Sequence, residues 1–232
     1  MGKGLSLAKF YETKISKGQA ALVWFNEFSG VAILSPLRSI IVDPTQIDGE
    51  AFQRVDFLLI THELIDHLDE ILVSSIHQIT GCSVISGRAS SESLRNFVPK
   101  KKMKIVQTDT ELTLDDLSIE ALPCNHPSAA NPVTYMITLE NGVKIFHTSD
   151  SLPFPEMERI GMNEQPDIVF CAISGVAGVT PRTGAEIAKL VKAKVAIPYH
   201  GTAFQEFEGI LRRELPDQKI VELKPMEPYI YG

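Results

Sequence analysis

The chain has 232 residues, 44% of them hydrophobic and 22% charged, which is enough apolar material for a full core and excludes a disordered chain. Its formal charge of −7 disfavours nonspecific nucleic-acid binding, which depends on cationic side chains displacing counterions from phosphates. No apolar run approaches the roughly 18 residues of a membrane span, and residues 1–17 contain no apolar signal core, so a cytoplasmic protein without a membrane partner is the expectation.

Residues 20–26, 31–35 and 39–42 are apolar runs separated by Glu27-Phe28-Ser29-Gly30 and Pro36-Leu37-Arg38, a spacing that predicts an antiparallel meander. Residues 57–60 read as a buried strand that begins a strand-helix pattern, after which Leu68, Ile71, Leu72, Ser75, Ile76 and Ile79 recur at helical spacing. Between strand and helix lies Thr61-His62-Glu63-Leu64-Ile65-Asp66-His67, a run dense in imidazoles and carboxylates. Side chains on such a turn converge on the carboxyl end of a sheet, where α/β architectures place their ligands. A shorter strand-helix unit follows at 83–85 and 91–98. The basic run Lys100-Lys101-Lys102-Met103-Lys104 has no interleaved aromatics and reads as a solvated loop before a strand.

From residue 104 the pattern returns to strands at 104–107, 111–114, 117–122, 134–139 and 143–148, with Asn141-Gly142 marking a tight hairpin. Residues 167–173 form another buried strand. A helix opens at Thr183, whose distance to Glu186 is that of a capping box. Strand 194–198, helix 204–215 and strand 219–223 complete the chain. Strands followed by strand-helix units thus occur twice. This order predicts two mixed β-sheets packed face to face with helices outside, a four-layer αββα sandwich in a single domain over 1–232.

Each of the six histidines has a bland reading to set against a ligand role. His62 and His67 cluster with Asp66 on the turn. His126 in Asn125-His126-Pro127, Asp150 in Thr148-Ser149-Asp150-Ser151, and His200 in Pro198-Tyr199-His200-Gly201 each follow a buried strand and precede turn residues. Imidazole nitrogen and carboxylate oxygen suit zinc, with manganese or iron as alternatives. The widely spaced Cys82, Cys124 and Cys171 offer neither a disulfide framework nor a thiolate cluster. His77 reads as a surface residue. His147 alternates away from Asp150 and reads as a core or supporting imidazole.

On these residues the chain resembles the metallo-β-lactamase-fold hydrolases. Thr61 to His67 is similar to their T-H-x-H-x-D-H signature, Asp43-Pro44 to their early aspartate, and His126, Ser149-Asp150-Ser151 (in place of Gly-Asp-Thr) and Pro198-Tyr199-His200-Gly201-Thr202 to their later motifs in order. The motif spacing, with Pro166-Asp167-Ile168-Val169, is similar to the L-ascorbate-6-phosphate lactonase-like branch. The resemblance implies a first metal held by His62, a histidine at position 64 and His126, and a second held by Asp66, His67 and His200, with Asp150 bridging. Here position 64 is Leu64, which has no lone pair to give. The second site is therefore expected to fill first, giving one or two ions per chain. Glu63 is a lesser candidate as substitute ligand, since adjacent residues of an extended segment point to opposite sides.

A bound divalent cation lowers the pKa of its water to about 7, so hydrolysis through a metal-bound hydroxide needs no serine or cysteine nucleophile. No G-x-S-x-G elbow and no phosphate-cradling glycine loop is present in the sequence. Asp66 is the expected catalytic group, orienting the attacking water and accepting a proton, and the substrate is a small ester, lactone or phosphoester. Arg182 could hold an anionic group, against the simpler reading of a solvent-facing arginine. Two alternatives stand beside the hydrolase: a degenerate noncatalytic domain that binds metal or a metabolite, which Leu64 favours, and a nuclease of the same superfamily, which the negative charge disfavours. Phe10, Tyr11, Tyr229, Ile230 and Tyr231 are core or interface residues, the latter in a homo-oligomer.

Overall fold

The structure is a computed structural model and describes residues 7–232. Its described residues form two compact units, the first comprising residues 7–107 together with Ala129–Asn131 and Lys224–Gly232, the second Thr108–Ser128 and Pro132–Leu223.

In the first unit, the expected meander is present as β1 (Ala20–Trp24), β2 (Val31–Leu34) and β3 (Ser39–Val42), all antiparallel and buried at every position. The sheet continues in parallel through β4 (Phe57–Ile60), β5 (Ser83–Ser86) and β6 (Met103–Ile105). The chain's last strand, β14 (Tyr229–Tyr231), pairs antiparallel with β1, which accounts for the aromatic carboxyl end. Helix α1 (Ala8–Glu12) buries Phe10. Helix α2 (Glu70–Thr80) is capped by Asp69, whose carboxylate accepts the Leu72 N–H at 2.9 Å, and ends at Gly81 in the left-handed conformation. Its buried stripe is Leu72, Val73 and Ile76, whereas Ile71 and Ile79 are exposed. The helical spacing includes Ile71 and Ile79, but residues 72, 73 and 76 share the inward arc instead. His77 is half-buried and donates from Nδ1 to the Cys82 carbonyl at 2.9 Å, so it fastens the helix end rather than facing water. Helix α3 (Arg88–Ser93) follows β5, and of the lysine run Lys100–Lys102 form a single turn while Met103 and Lys104 enter β6.

The second unit repeats the pairing scheme. Strands β7 (Thr110–Leu114), β8 (Leu117–Pro123), β9 (Val133–Thr138) and β10 (Lys144–His147) are antiparallel, then β11 (Ile168–Ala172), β12 (Val195–Tyr199) and β13 (Lys219–Ile220) continue in parallel. The β9–β10 hairpin turns through Leu139–Gly142, with the Gly142 N–H donating to the Leu139 carbonyl at 2.9 Å. Gly142 alone of the Asn-Gly pair has positive φ, so the turn ends in a glycine bulge. Helix α4 (Glu156–Glu164) precedes β11, and Gly161 lets it approach the end of α5 (Pro181–Val191): a Cβ there would lie 2.2 Å from the Val191 carbonyl. Helix α5 begins at Pro181, not Thr183. Thr180 is its cap, exchanging hydrogen bonds with Thr183, because a proline pre-set for the first helical position fixes the start two residues earlier. Helix α6 (Phe204–Glu214) completes the unit.

Each unit is thus a seven-stranded mixed sheet with helices, three antiparallel pairings followed by three parallel ones. The duplicated order read from the sequence is real, and two mixed sheets flanked by helices are what it produces. Among the described residues no helix is long and apolar enough to cross a membrane.

Candidate metal centre

In the first unit the donors gather at the carboxyl ends of the parallel pair β3 and β4. Asp43 follows β3 with φ 46°, fully buried. Its Oδ1 accepts the Thr61 N–H at 2.8 Å, and its Oδ2 accepts from Thr61 Oγ1 at 2.7 Å, Ser29 Oγ at 2.9 Å and His67 Nδ1 at 2.8 Å. An acceptor-only carboxylate holds the hydrogen of His67 on Nδ1, which directs the lone pair to Nε2. The chain reaches His67 through a tight turn in which the Leu64 carbonyl accepts the N–H groups of His67 at 2.9 Å and Leu68 at 2.8 Å. The His62 and His67 rings lie 3.8 Å apart between centroids, and Asp66 Oδ2 is 3.8 Å from His67 Nε2. Asp66 keeps 29% of its side chain exposed while both imidazoles are buried. Leu64 is half-buried. Glu63 points elsewhere, its Oε1 accepting the Ala130 N–H at 2.7 Å, so the substitute-ligand role expected of it at lower rank finds this oxygen committed.

In the second unit the donors again end parallel strands. After β10 the chain turns at Ser149, φ 52°, and presents buried Asp150; after β12 it turns at His200, φ 57°. Tyr199 Oη donates to the Ser149 carbonyl at 2.8 Å and fixes the two turns to each other. His200 Nε2 lies 3.3 Å from Asp150 Oδ2. His126, just beyond β8, is buried and brings a donor atom within 4.8 Å of one on Asp150. His147 is fully buried, its Nδ1 accepting the Ser149 N–H at 3.3 Å and its ring against Phe170 and Tyr199, a core imidazole with a hydrogen bond to the turn before Asp150.

Both half-sets have the chemistry of a divalent-ion site: buried imidazoles and carboxylates aimed together, which in the absence of a cation would be a costly arrangement of desolvated polar groups. Gly175, at φ 122°, leaves room beside them. A Cβ there would sit 2.5 Å from Asp150 Oδ2 and 3.1 Å from the His200 ring. Burial pushes the Cys82 and Cys171 thiols up, keeping them protonated and out of competition as ligands. The residues present therefore fit a metal. Asp43, Ser149 and His200 are non-glycine residues in the left-handed region, each a strain of about 1–2 kcal/mol that the surrounding hydrogen bonds hold in place.

Arg182 lies outside this region and is paired with Glu214, which Lys189 also contacts at 2.5 Å; these two cations hold the Glu214 carboxyl below its usual range. The simpler reading of Arg182 as a solvent-facing arginine agrees with its 62% side-chain exposure, and Glu214 is its partner. Sequence reading passed over Ser29, Thr61, Tyr199 and Gly175 as supporting residues. Thr61 and Tyr199 lie within the quoted motifs, and Gly175 is a glycine three residues beyond a buried strand; Ser29 carries no local signal.

Residues 28–201 match a family model described as a beta-lactamase superfamily domain. A UPF0173 protein from Pyrococcus abyssi is 26% identical over 197 residues, covering 82% of this chain and 89% of its own. A UPF0173 metal-dependent hydrolase from Polynucleobacter asymbioticus is 27% identical over 228 residues, covering 84% and 79%. Among solved structures, Igni18 from Ignicoccus hospitalis, described as a novel metallo hydrolase, superposes with a TM-score of 0.79 at 21% identity, covering 92% of this chain and 99% of its own. At that identity the likeness is one of fold.

Proposed function

We propose that this chain, which belongs to the β-lactamase superfamily and has its metallo-β-lactamase fold, is a metal-dependent hydrolase of small esters, lactones or phosphoesters. The observation that carries the reading is the buried Asp43–His67 pair: a carboxylate that receives four hydrogen bonds and fixes an imidazole tautomer has the form of a support for a metal ligand. Relatives named metal-dependent hydrolases point the same way.

In this reading the two units act as one domain, and Asp66, His67, Asp150 and His200 form the complete donor set. His62 and His126, with a share of Asp150, form a second set weakened by Leu64. Zinc is the ion we assign, with manganese and iron as alternatives for the same oxygen and nitrogen donors. Such an ion supplies water activation and polarisation of the substrate oxygen. The side chains do the rest. Asp66, partly exposed and adjacent to a fixed imidazole, orients the attacking water and takes its proton. Asp43 and Ser29 keep His67 from rotating, and Tyr199 keeps the Ser149 turn closed behind Asp150.

The test is hydrolysis of p-nitrophenyl esters, simple lactones and bis-p-nitrophenyl phosphate with added zinc or manganese, beside His67→Ala. Metal-dependent turnover that His67→Ala lacks supports the assignment. Equal rates in the two proteins would leave the noncatalytic binding domain as the better account, the reading that Leu64 favours.

A further inference from the structure

Beside Asp66 the first unit carries an open cavity of about 600 Å³, within the size range of small-molecule sites. Its apolar wall is Phe28, Ile65, Leu68 and Ile71, and its polar groups include the carboxylates of Asp66, Asp69 and Glu70. No lysine, arginine or histidine lines it among the described residues. Ile65 lies between Leu64 and Asp66 in the ligand loop and is 89% exposed; Ile71, the second residue of α2, is 75% exposed. Single exposed isoleucines are ordinary on a surface. Two of them on one cavity, next to half-buried Phe28 and buried Leu68, make a continuous apolar lining that water covers at a cost.

We infer that this cavity receives the non-reacting part of the substrate, and that this part is apolar and uncharged or cationic rather than phosphorylated or carboxylated. The inference rests on the hydrolase reading for the word substrate, and it narrows that reading to neutral or cationic esters and lactones. Three considerations support it. The apolar wall abuts the residue assigned to proton transfer, so a tail lying along Ile65 and Ile71 leaves its acyl end at Asp66. The positive end of α2, which would otherwise attract an anion, is already occupied: Asp69 accepts the Leu72 N–H, and Glu70 stands in the first turn. Away from the ion assigned to Asp66, an anionic tail would therefore meet the carboxylates of Asp69 and Glu70 with no cationic side chain in the lining to offset them, under a net charge of −7. Arg182 is not in this lining and is paired with Glu214.

The experiment uses the full zinc-loaded chain and three primary amides of equal length that differ only at the far end: hexanamide, 6-aminohexanamide and adipamic acid. Binding is read by calorimetry and by chemical-shift changes at Ile65 and Ile71. Hexanamide and 6-aminohexanamide should bind at least about tenfold more tightly than adipamic acid, with shifts confined to the cavity. Ile71→Ser should weaken hexanamide about fivefold, the loss expected for removing a methylene-scale contact or slightly more. Glu70→Lys, which leaves the Asp69 cap in place, should bring adipamic acid above 6-aminohexanamide. Three amides within about twofold of one another, a tightest anionic ligand, or no binding at all would each overturn the inference. Turnover of the matching p-nitrophenyl esters is scored separately. Ranked amide binding without ester hydrolysis would refute the hydrolase reading while the cavity assignment stands; hydrolysis indifferent to tail charge and to Ile71→Ser would do the reverse.

Discussion

Replacing Asp43 by asparagine is the sharpest probe of how the chain prepares its metal ligands. Asparagine tolerates positive φ as well as aspartate does, so the φ of 46° is not itself disturbed. The Thr61 N–H donates to Oδ1, which the amide oxygen can replace, leaving the amide NH2 at the Oδ2 position where three donors now point. Thr61 and Ser29 can rotate their hydroxyls to accept. His67 Nδ1–H cannot, so the ring either loses its partner or moves its hydrogen to Nε2, the nitrogen needed for metal. Losing one buried charge-assisted hydrogen bond costs about 1.5–3 kcal/mol, or a fall in Tm of roughly 3–12 °C for a chain of this length. Metal affinity should fall about 10–100-fold, the usual effect of removing a carboxylate behind a ligating histidine. Zinc competition against a chromophoric chelator measures the affinity, and thermal melting of the metal-free protein measures the stability. Ser29→Ala keeps the carboxylate and should lower affinity by less than about threefold. Asp43→Asn with wild-type zinc affinity would refute the reasoning, whatever its Tm.

Gly175→Ala should abolish tight zinc binding with the far-ultraviolet dichroism unchanged, because its Cβ would fall 2.5 Å from Asp150 Oδ2; retained affinity would show that the turn relaxes freely. Ser149→Gly should raise stability by about 1 kcal/mol, about 2–4 °C in Tm, by relieving a left-handed serine, and a lower Tm would mean that the hydroxyl matters more than the backbone. Burial pushes the Tyr11 phenol up to about 12, above the ordinary 10.0, so the folded state keeps a proton that the unfolded chain loses. Its contribution is complete below pH 10.0 and fades as pH rises toward about 12, a loss of about 2–3 kcal/mol. Urea melts from pH 9 to 12 should show this decline in the wild type and a flatter profile in Tyr11→Phe.

The donors of the centre are legible in the sequence because each follows a buried apolar strand within a few residues, and parallel strands bring such positions to one edge. The support behind them is less legible. Asp43 stands 24 residues before His67, and only the parallel register of β3 and β4 reveals that it reaches the Nδ1 side of that ring. Ser29 and Tyr199 act through hydroxyls whose partners no periodicity predicts. Helix α4 escaped the pattern because its buried side is only Met157, Ile160 and Gly161, too narrow to register as an amphipathic stripe. Strand β14 is three residues long and pairs with the distant β1, so nothing local announces it. Ile71 shows the opposite failure, a residue of apolar type at helical spacing that the helix turns outward to the cavity beside Asp66.

The central claim is that one complete donor set suffices while Leu64 leaves its neighbour weak. Anomalous diffraction at the zinc edge, from crystals of protein purified without chelator, tests it directly when paired with Leu64→His. The account predicts one strong peak among Asp66, His67, Asp150 and His200 in the wild type, with a second peak near His62 and His126 rising in Leu64→His. Two wild-type peaks of equal height, unchanged by the substitution, would contradict it.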